Sequence, residues 1–461
     1  MKIKNRISAT IAVAAITVVA QTQVQPKVYE IGEDLARSIE NWEQSGEDFA
    51  VEHGASAFRF AESRRRDVVV CRAPDAVTFF GTPVMESRVY FKNRAIAKIE
   101  LSLYNKGDAT TRGAVMTADE LKEMVETVSR NLTGEGGKMP QTERIRVKND
   151  RTKMGHKFTR KWLKRSPTAE LVWGVSGEGK NELAEYATLS LVGQPAQDKG
   201  RKSGGQSYGS RSLKASAPNP KLLTSNVKHN DEGDVYVANV PMVDQGDKGY
   251  CSVAAAERVL RYFGQDVDEH EIAQLAGTSA SGGTSTKSMI SAVETIGKKC
   301  KLGKREIVSK LGSWEDGAKR LKAYNLAAKR MKKPELKLDD FITTQGNTRT
   351  FNIGDMERAM EPKVLKEMSM KDKSGYGKFI RGIREQIARG VPLFWSVRLG
   401  VYPESGIPQQ FGGHMRLIIG YNEEKGEVIY TDSWGAGHER KNMPDDWAWT
   451  ITHNLFYLNP R

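Results

Sequence analysis

Cysteine is scarce in this chain, with three residues in 461. Three thiols cannot build a disulfide framework, and no Cys-x-x-Cys pair offers the ligand spacing of a structural zinc site. Long apolar runs are equally scarce. Beyond the first twenty residues no segment approaches the ~20 apolar residues needed to cross a bilayer. There is no internal repeat and no nucleic-acid-binding motif. Hydrophobic residues make up 38% and charged residues 28%, which excludes both a membrane bundle and a fully disordered chain. The length predicts two or three domains.

What is present starts at the N-terminus. Lys2, Lys4 and Arg6 precede an apolar run over residues 7–20, with Val18 and Ala20 placed for cleavage before Gln21. The run is too short to span a membrane, so residues 1–20 read as a secretory signal, with an uncleaved anchor as the alternative. The mature chain is expected to be exported, periplasmic or extracellular, with no transmembrane segment once the signal is removed.

The formal net charge is +14, and half of the excess lies in residues 199–230, which hold seven basic and no acidic side chains. That stretch is rich in Gly and Ser, cannot build a core, and reads as a flexible linker open to proteolytic nicking. Residues 21–198 are nearly balanced, with 27 basic and 26 acidic side chains. Within them, ten basic residues between Arg144 and Arg165 are offset only by Asp150. The cluster is a candidate contact for an anionic surface; the plainer alternative is a solvated strand pair balanced by acidic residues elsewhere in the same domain. No specific nucleic-acid partner is expected.

Residues 21–198 read as an N-terminal α+β domain. Apolar spacing predicts a helix over 31–42, and 67–72, 83–91 and 95–104 are β-rich. Thr117 and Glu120 form a capping-box pattern ahead of Leu121, Met124, Val125 and Val128. Residues 160–175 read as two strands around Ser166-Pro167, and 182–192 as another. No catalytic constellation appears here, and Cys71 reads as a buried core thiol.

Chemistry gathers after residue 240. Cys251 stands where a Gly-rich loop should become a helix running through Val253, Ala256, Val259, Leu260 and Phe263, stopped by Gly264. A cysteine at a helix N-terminus feels the positive end of the macrodipole, which favours the thiolate. Farther on, Gly412-Gly413-His414 opens a predicted strand over 415–421, and 427–431 reads as its hairpin partner, ending at Asp432-Ser433-Trp434-Gly435. His414 and Asp432 then become neighbours, so a carboxylate can accept from one imidazole nitrogen and leave the other facing a thiol. Each residue alone would read as structural; the combination of the three at element junctions points to a site.

This pattern resembles a papain-like cysteine peptidase. Gln245 precedes Cys251 by six residues, the interval of that family's oxyanion-hole glutamine and nucleophile. Asp432-Ser433-Trp434-Gly435 is similar to the family's Asn-Ser-Trp-Gly, with Asp in place of Asn. The bacterial branch that includes bacteriocin-leader (double-glycine) peptidases is the nearer likeness, through Tyr262-Phe263-Gly264, a helix over 268–275, and Gly282-Gly283-Thr284-Ser285. The resemblance covers about 238–461 and implies a helical lobe carrying the Cys and an antiparallel β lobe carrying His and Asp. The 163-residue separation of Cys251 and His414 requires an insertion, supplied by 301–390 and read as helices at 314–331, 355–370 and 376–388. Cys300 reads as a non-catalytic thiol.

The resemblance implies Cys251 as nucleophile, His414 as its acid–base partner, Asp432 as the orienting group and Gln245 as an oxyanion donor, with Trp434 and Gly413 in support and no metal or cofactor. Protein or peptide is the implied substrate. Three other readings stay open: a non-catalytic papain-like binding module, an acyltransferase or transglutaminase using the same triad, and a surface adhesin binding through the basic cluster. The N-terminal domain would be either an inhibitory propiece or a targeting module, and the sequence does not choose between them.

Overall fold

The computed structural model describes residues 28–460 apart from 55–56, 64, 74–75, 148–154, 178, 180–181, 194–219, 247–248, 266, 268, 277–289, 292, 296, 298–300, 311–312, 346–347, 406 and 408–409. The expected signal peptide, Cys300, the Gly282–Ser285 loop and most of the expected linker lie outside the described residues. Two separate hydrophobic cores divide the chain, one drawn from residues 31–191 and the other from 223–458. Among the described residues no helix is long and apolar enough to cross a membrane.

The N-terminal core lies in an antiparallel eight-stranded sheet. Its strands are β1 (Phe58–Phe60), β2 (Val68–Cys71), β3 (Glu86–Lys92), β4 (Ala95–Asn105), β5 (Glu143–Val147), β6 (Gly155–Trp162), β7 (Thr168–Ser176) and β8 (Leu183–Val192), in the order β1-β2-β3-β4-β8-β7-β6-β5. Helix α1 (Ala118–Thr133) packs on it through Leu121, Val125 and Val128, and Thr117 and Glu120 close the expected capping box. Cys71 is buried, as expected of a core thiol, and burial pushes it up. Residues 31–42 depart from the expected helix: a π-helical turn (Gly32–Ala36) and a 3₁₀ turn (Glu40–Trp42) replace it. Two side-chain-to-backbone bonds compete with the helix ladder there, Trp42 Nε1 to Leu35 O at 2.9 Å and Glu40 N–H to Ser38 Oγ at 3.1 Å. Four members of the basic cluster are engaged internally. Lys157 meets Glu271 at 2.6 Å, Arg160 meets Glu126 at 2.6 Å, Lys161 meets Glu170 at 3.0 Å, and Arg165 donates to the Leu132 and Ala36 carbonyls.

The C-terminal core is built on a second antiparallel sheet. Its strands are β9 (Val227–His229), β10 (Asp234–Val237), β11 (Leu302–Ser309), β12 (Leu393–Leu399), β13 (Gly412–Asn422), β14 (Glu427–Thr431), β15 (Lys441–Pro444) and β16 (Thr452–Pro460). The order is β9-β10-β13-β12-β16-β11, with β14 joining β13 and β15. Helices α2 (Cys251–Tyr262) and α3 (Glu269–Ala276) lie against each other, and α2 packs on β13. The intervening helices are α4 (Trp314–Arg330), α5 (Ile353–Ala359), α6 (Pro362–Lys371) and α7 (Lys373–Ala388), with α8 (Asp445–Ile451) near the end.

Three departures have local causes. The helix expected over 355–370 breaks before Pro362, which lacks an N–H, excludes the residue before it from the helix and starts α6. Residues 302–309, expected within a helical insertion, form β11 and extend the sheet beside β16. The expected linker also ends early, because Pro220–Ser225 is helical and β9 pairs with β10.

The two halves meet on charge. Arg88, on the polar face of the N-terminal sheet, lies 3.4 Å from Glu257 of α2 and 3.3 Å from Glu269 of α3. Arg261 of α2 reaches back to Glu100 at 3.3 Å.

Candidate active site

Helix α2 begins at Cys251, on the loop that includes Gly246 at φ +64°. The apolar spacing seen in the sequence buries Val253, Ala256, Val259 and Leu260, and Gly264 at φ +78° terminates the helix. The thiol therefore sits in the first turn, partly exposed, with the helix dipole behind it.

The hairpin forms as its two apolar runs predict, β13 pairing with β14 and Leu417 opposite Thr431. Asp432 follows that pair directly. Residues 414 and 416 share one face of β13 by the two-residue period of a strand, and both reach this carboxylate. His414 Nε2 lies 2.6 Å from Asp432 Oδ1, and Arg416 Nε donates to Oδ2 at 2.8 Å. The Ser433 N–H donates to Oδ1 at 2.9 Å. Asp432 is fully buried and His414 is 7% exposed. The imidazole also lies beside the Cys251 thiol, and each group shifts the other's ionisation.

The electrostatics follow from this arrangement. Burial works against charge on all three groups. For Cys251 that penalty is overcome by the His414 charge and by hydrogen bonds from His414 and the Met415 N–H, so the thiol lies below its ordinary value. For His414, Asp432 and the thiolate overcome burial and raise it to about 10. Asp432 is held well below the usual carboxylate range, chiefly by His414 and Arg416 against its burial. A thiolate beside an imidazolium is the state these shifts favour.

Gln245 joins the group through Asp432's neighbour. Its N–H donates to Ser433 O at 2.8 Å, and Ser433 Oγ donates to its Oε1 at 2.7 Å. The side-chain oxygen is thereby committed, and the amide nitrogen is the end left for another group. Trp434 stacks on His414 with ring centroids 4.6 Å apart and planes at 17°. Gly413 precedes His414 on the open side, where an added Cβ would meet nothing within 4 Å.

Three further residues were not singled out from the sequence. Arg416 is one strand period from His414, which is the signal that identifies it. Glu404 takes Arg416 Nη1 at 3.0 Å on both carboxylate oxygens and also accepts from the Tyr430 hydroxyl. Arg258 lies seven residues, two helical turns, after Cys251 on the same face. It donates to Pro241 O at 2.7 Å, Asp432 O at 2.8 Å and Thr431 Oγ1 at 2.6 Å, tying the helix that bears the thiol to the strand end that bears the carboxylate.

The N-terminal domain touches the flanking loops. Arg72 meets Asp244 at 2.8 Å, Glu62 accepts from the Met242 N–H at 3.1 Å, and Ser63 Oγ accepts from the Gly437 N–H at 3.0 Å.

No curated protein matches the chain. The structure of xylellain, a cysteine protease from Xylella fastidiosa, is similar with a TM-score of 0.24 and 12% identity, over 54% of this chain and 91% of that one. Residues 237–455 match the Peptidase_C39 like family, a span that takes in the helix bearing Cys251, β13, β14 and the Asp-Ser-Trp-Gly turn but none of the N-terminal domain. Over these residues the C-terminal part of this chain is similar to the Peptidase_C39 like family, which makes it a papain-like cysteine-type peptidase region.

Proposed function

We propose that this chain is an exported peptidase, whose C-terminal domain hydrolyses peptide bonds of a protein or peptide substrate through Cys251, His414 and Asp432, with Gln245 as an oxyanion donor. The observation that carries the reading is the placement of His414 beside the Cys251 thiol with its Nε2 2.6 Å from a buried carboxylate. The Cys251 thiolate attacks the carbonyl carbon, and the oxyanion is taken by the Cys251 N–H and the Gln245 amide. The C–N bond breaks as His414 gives its proton to the leaving amine. Water, deprotonated by His414, then attacks the thioester; the C–S bond breaks and the thiolate returns. Asp432 holds the imidazole and its charge, and the stacked Trp434 shields their hydrogen bond from water.

Export rests on the charged and apolar N-terminal twenty residues. The test is labelling of the full-length chain with an epoxide that traps papain-type thiols, followed by peptide mapping, with Cys251→Ala and His414→Ala as controls. Stoichiometric label on Cys251 that requires His414, together with cleavage of an unfolded protein substrate lost in both variants, is expected. Absence of label on native Cys251, when the denatured chain labels there, overturns the reading in favour of a non-catalytic scaffold.

A further inference from the structure

We infer that Arg416 is a positioning residue for the Cys251–His414 pair, acting through Asp432 and itself held in place by Glu404 and Tyr430. The inference rests on the catalytic reading above and adds to it. A carboxylate has two oxygens and can rotate between partners. Here Oδ2 is taken by Arg416 at 2.8 Å, so Oδ1 is the oxygen left for His414. Arg416 is itself 1% exposed, and its guanidinium lies 4.6 Å from the Tyr430 ring centroid and 5.8 Å from that of Trp434. Glu404, on the segment before β13, closes the other side of the guanidinium through Nη1. The array runs Tyr430, Glu404, Arg416, Asp432, His414, Cys251, with cations and anions alternating from Glu404 onward.

A buried charge also acts at a distance. Arg416 partly offsets Asp432 as seen from His414, and so moderates the stability of the imidazolium while favouring the thiolate. The other charged or titratable groups facing this array are Arg258 from α2 and His438 from the turn after Trp434. Glu62 and Glu439 act on Arg258 from farther out. None of these bonds the Asp432 carboxylate oxygens, which go to His414, Arg416 and the Ser433 N–H.

The experiment is the pH dependence of Cys251 alkylation in the full-length chain by iodoacetate, an anion whose approach the imidazolium assists, with urea unfolding to check the fold. Wild type is expected to show a bell whose acid limb reports thiolate formation and whose alkaline limb reports imidazolium loss. Arg416→Gln removes a positive charge, so the thiolate is disfavoured and the imidazolium favoured; both limbs move up, by about one pH unit. Glu404→Gln leaves the guanidinium less offset, and both limbs move down. Arg416→Lys keeps the charge but cannot bridge two carboxylates, so the limbs stay while the plateau rate falls about tenfold. Opposite displacements in the two Gln variants are a result that loss of packing does not produce. A folded Arg416→Gln protein with unmoved limbs overturns the inference, as does an unchanged plateau in Arg416→Lys should Arg416→Gln fail to fold. Loss of the His414 dependence in wild type itself overturns the catalytic reading instead.

Discussion

Two buried charge networks run through this molecule, and they look alike until their neighbours are considered. At the domain interface Arg88 lies 2.6 Å from Glu86 and reaches Glu257 and Glu269, while Arg261 pairs with Glu257 at 2.7 Å and Lys98 with Glu100 at 2.7 Å. Glu100 is held far below the carboxylate range by Lys98 and Arg261 despite its burial, and Arg88 and Arg261 are raised despite theirs. The network around Asp432 is equally buried and equally shifted. What separates them is a thiol: only the second network ends in a partly exposed cysteine at a helix N-terminus, the proposed nucleophile. Burial with shifted ionisation marks both a structural joint and a site, and the reacting atom decides which is which.

The comparison yields predictions in order of size. Arg88→Met leaves Glu257 and Glu269 buried without their shared cation, and should cost roughly 3–5 kcal/mol of stability, read by urea unfolding. The same variant should leave the pH limbs of Cys251 alkylation in place, as a joint requires. Gln245→Ala should lower peptide hydrolysis by ~10²–10³ while alkylation of Cys251 changes little, because the oxyanion donor acts only once a carbonyl is attacked. A parallel loss of both rates would show that the loop, not the amide, is what matters.

The pH dependence of stability separates the networks by sign. Asp432 and Glu100 are depressed, so their contribution is present above the ordinary carboxylate range and is lost as pH falls through their folded values. His414 is raised, so its contribution is complete below its ordinary value of 6.5 and is lost as pH climbs through about 10. Thermal unfolding should therefore show an alkaline loss that Asp432→Asn reduces and Arg88→Met does not. The smallest effect is Thr117→Ala, which removes one half of the α1 capping box. It should cost about 1 kcal/mol and touch neither network.

Much of the site was legible because its residues sit at punctuation points. The Gly-rich loop before Cys251, Gly264 after the helix, and the 423–426 turn between two apolar runs are local signals. Their physical causes, φ > 0 and the two-residue strand period, act within a few residues. The capping box at Thr117 was legible for the same reason. Misreadings arose where distant partners decide. Trp42 and Ser38 divert backbone bonds that apolar spacing alone assigns to a helix. Residues 302–309 carry mixed polarity, and became a strand because β16 offers them an edge.

The sequence by itself determined the order of elements, the helix start that exposes Cys251, and the hairpin that brings His414 beside Asp432, since periodicity and turn chemistry act along the chain. Tertiary structure alone decided which charges meet. Arg258 and Asp432 are 174 residues apart and Ser63 and Gly437 are 374 apart, and neither pairing has a sequence interval to announce it. Coulomb and hydrogen-bond partners depend on distance in space, and only folding sets that distance.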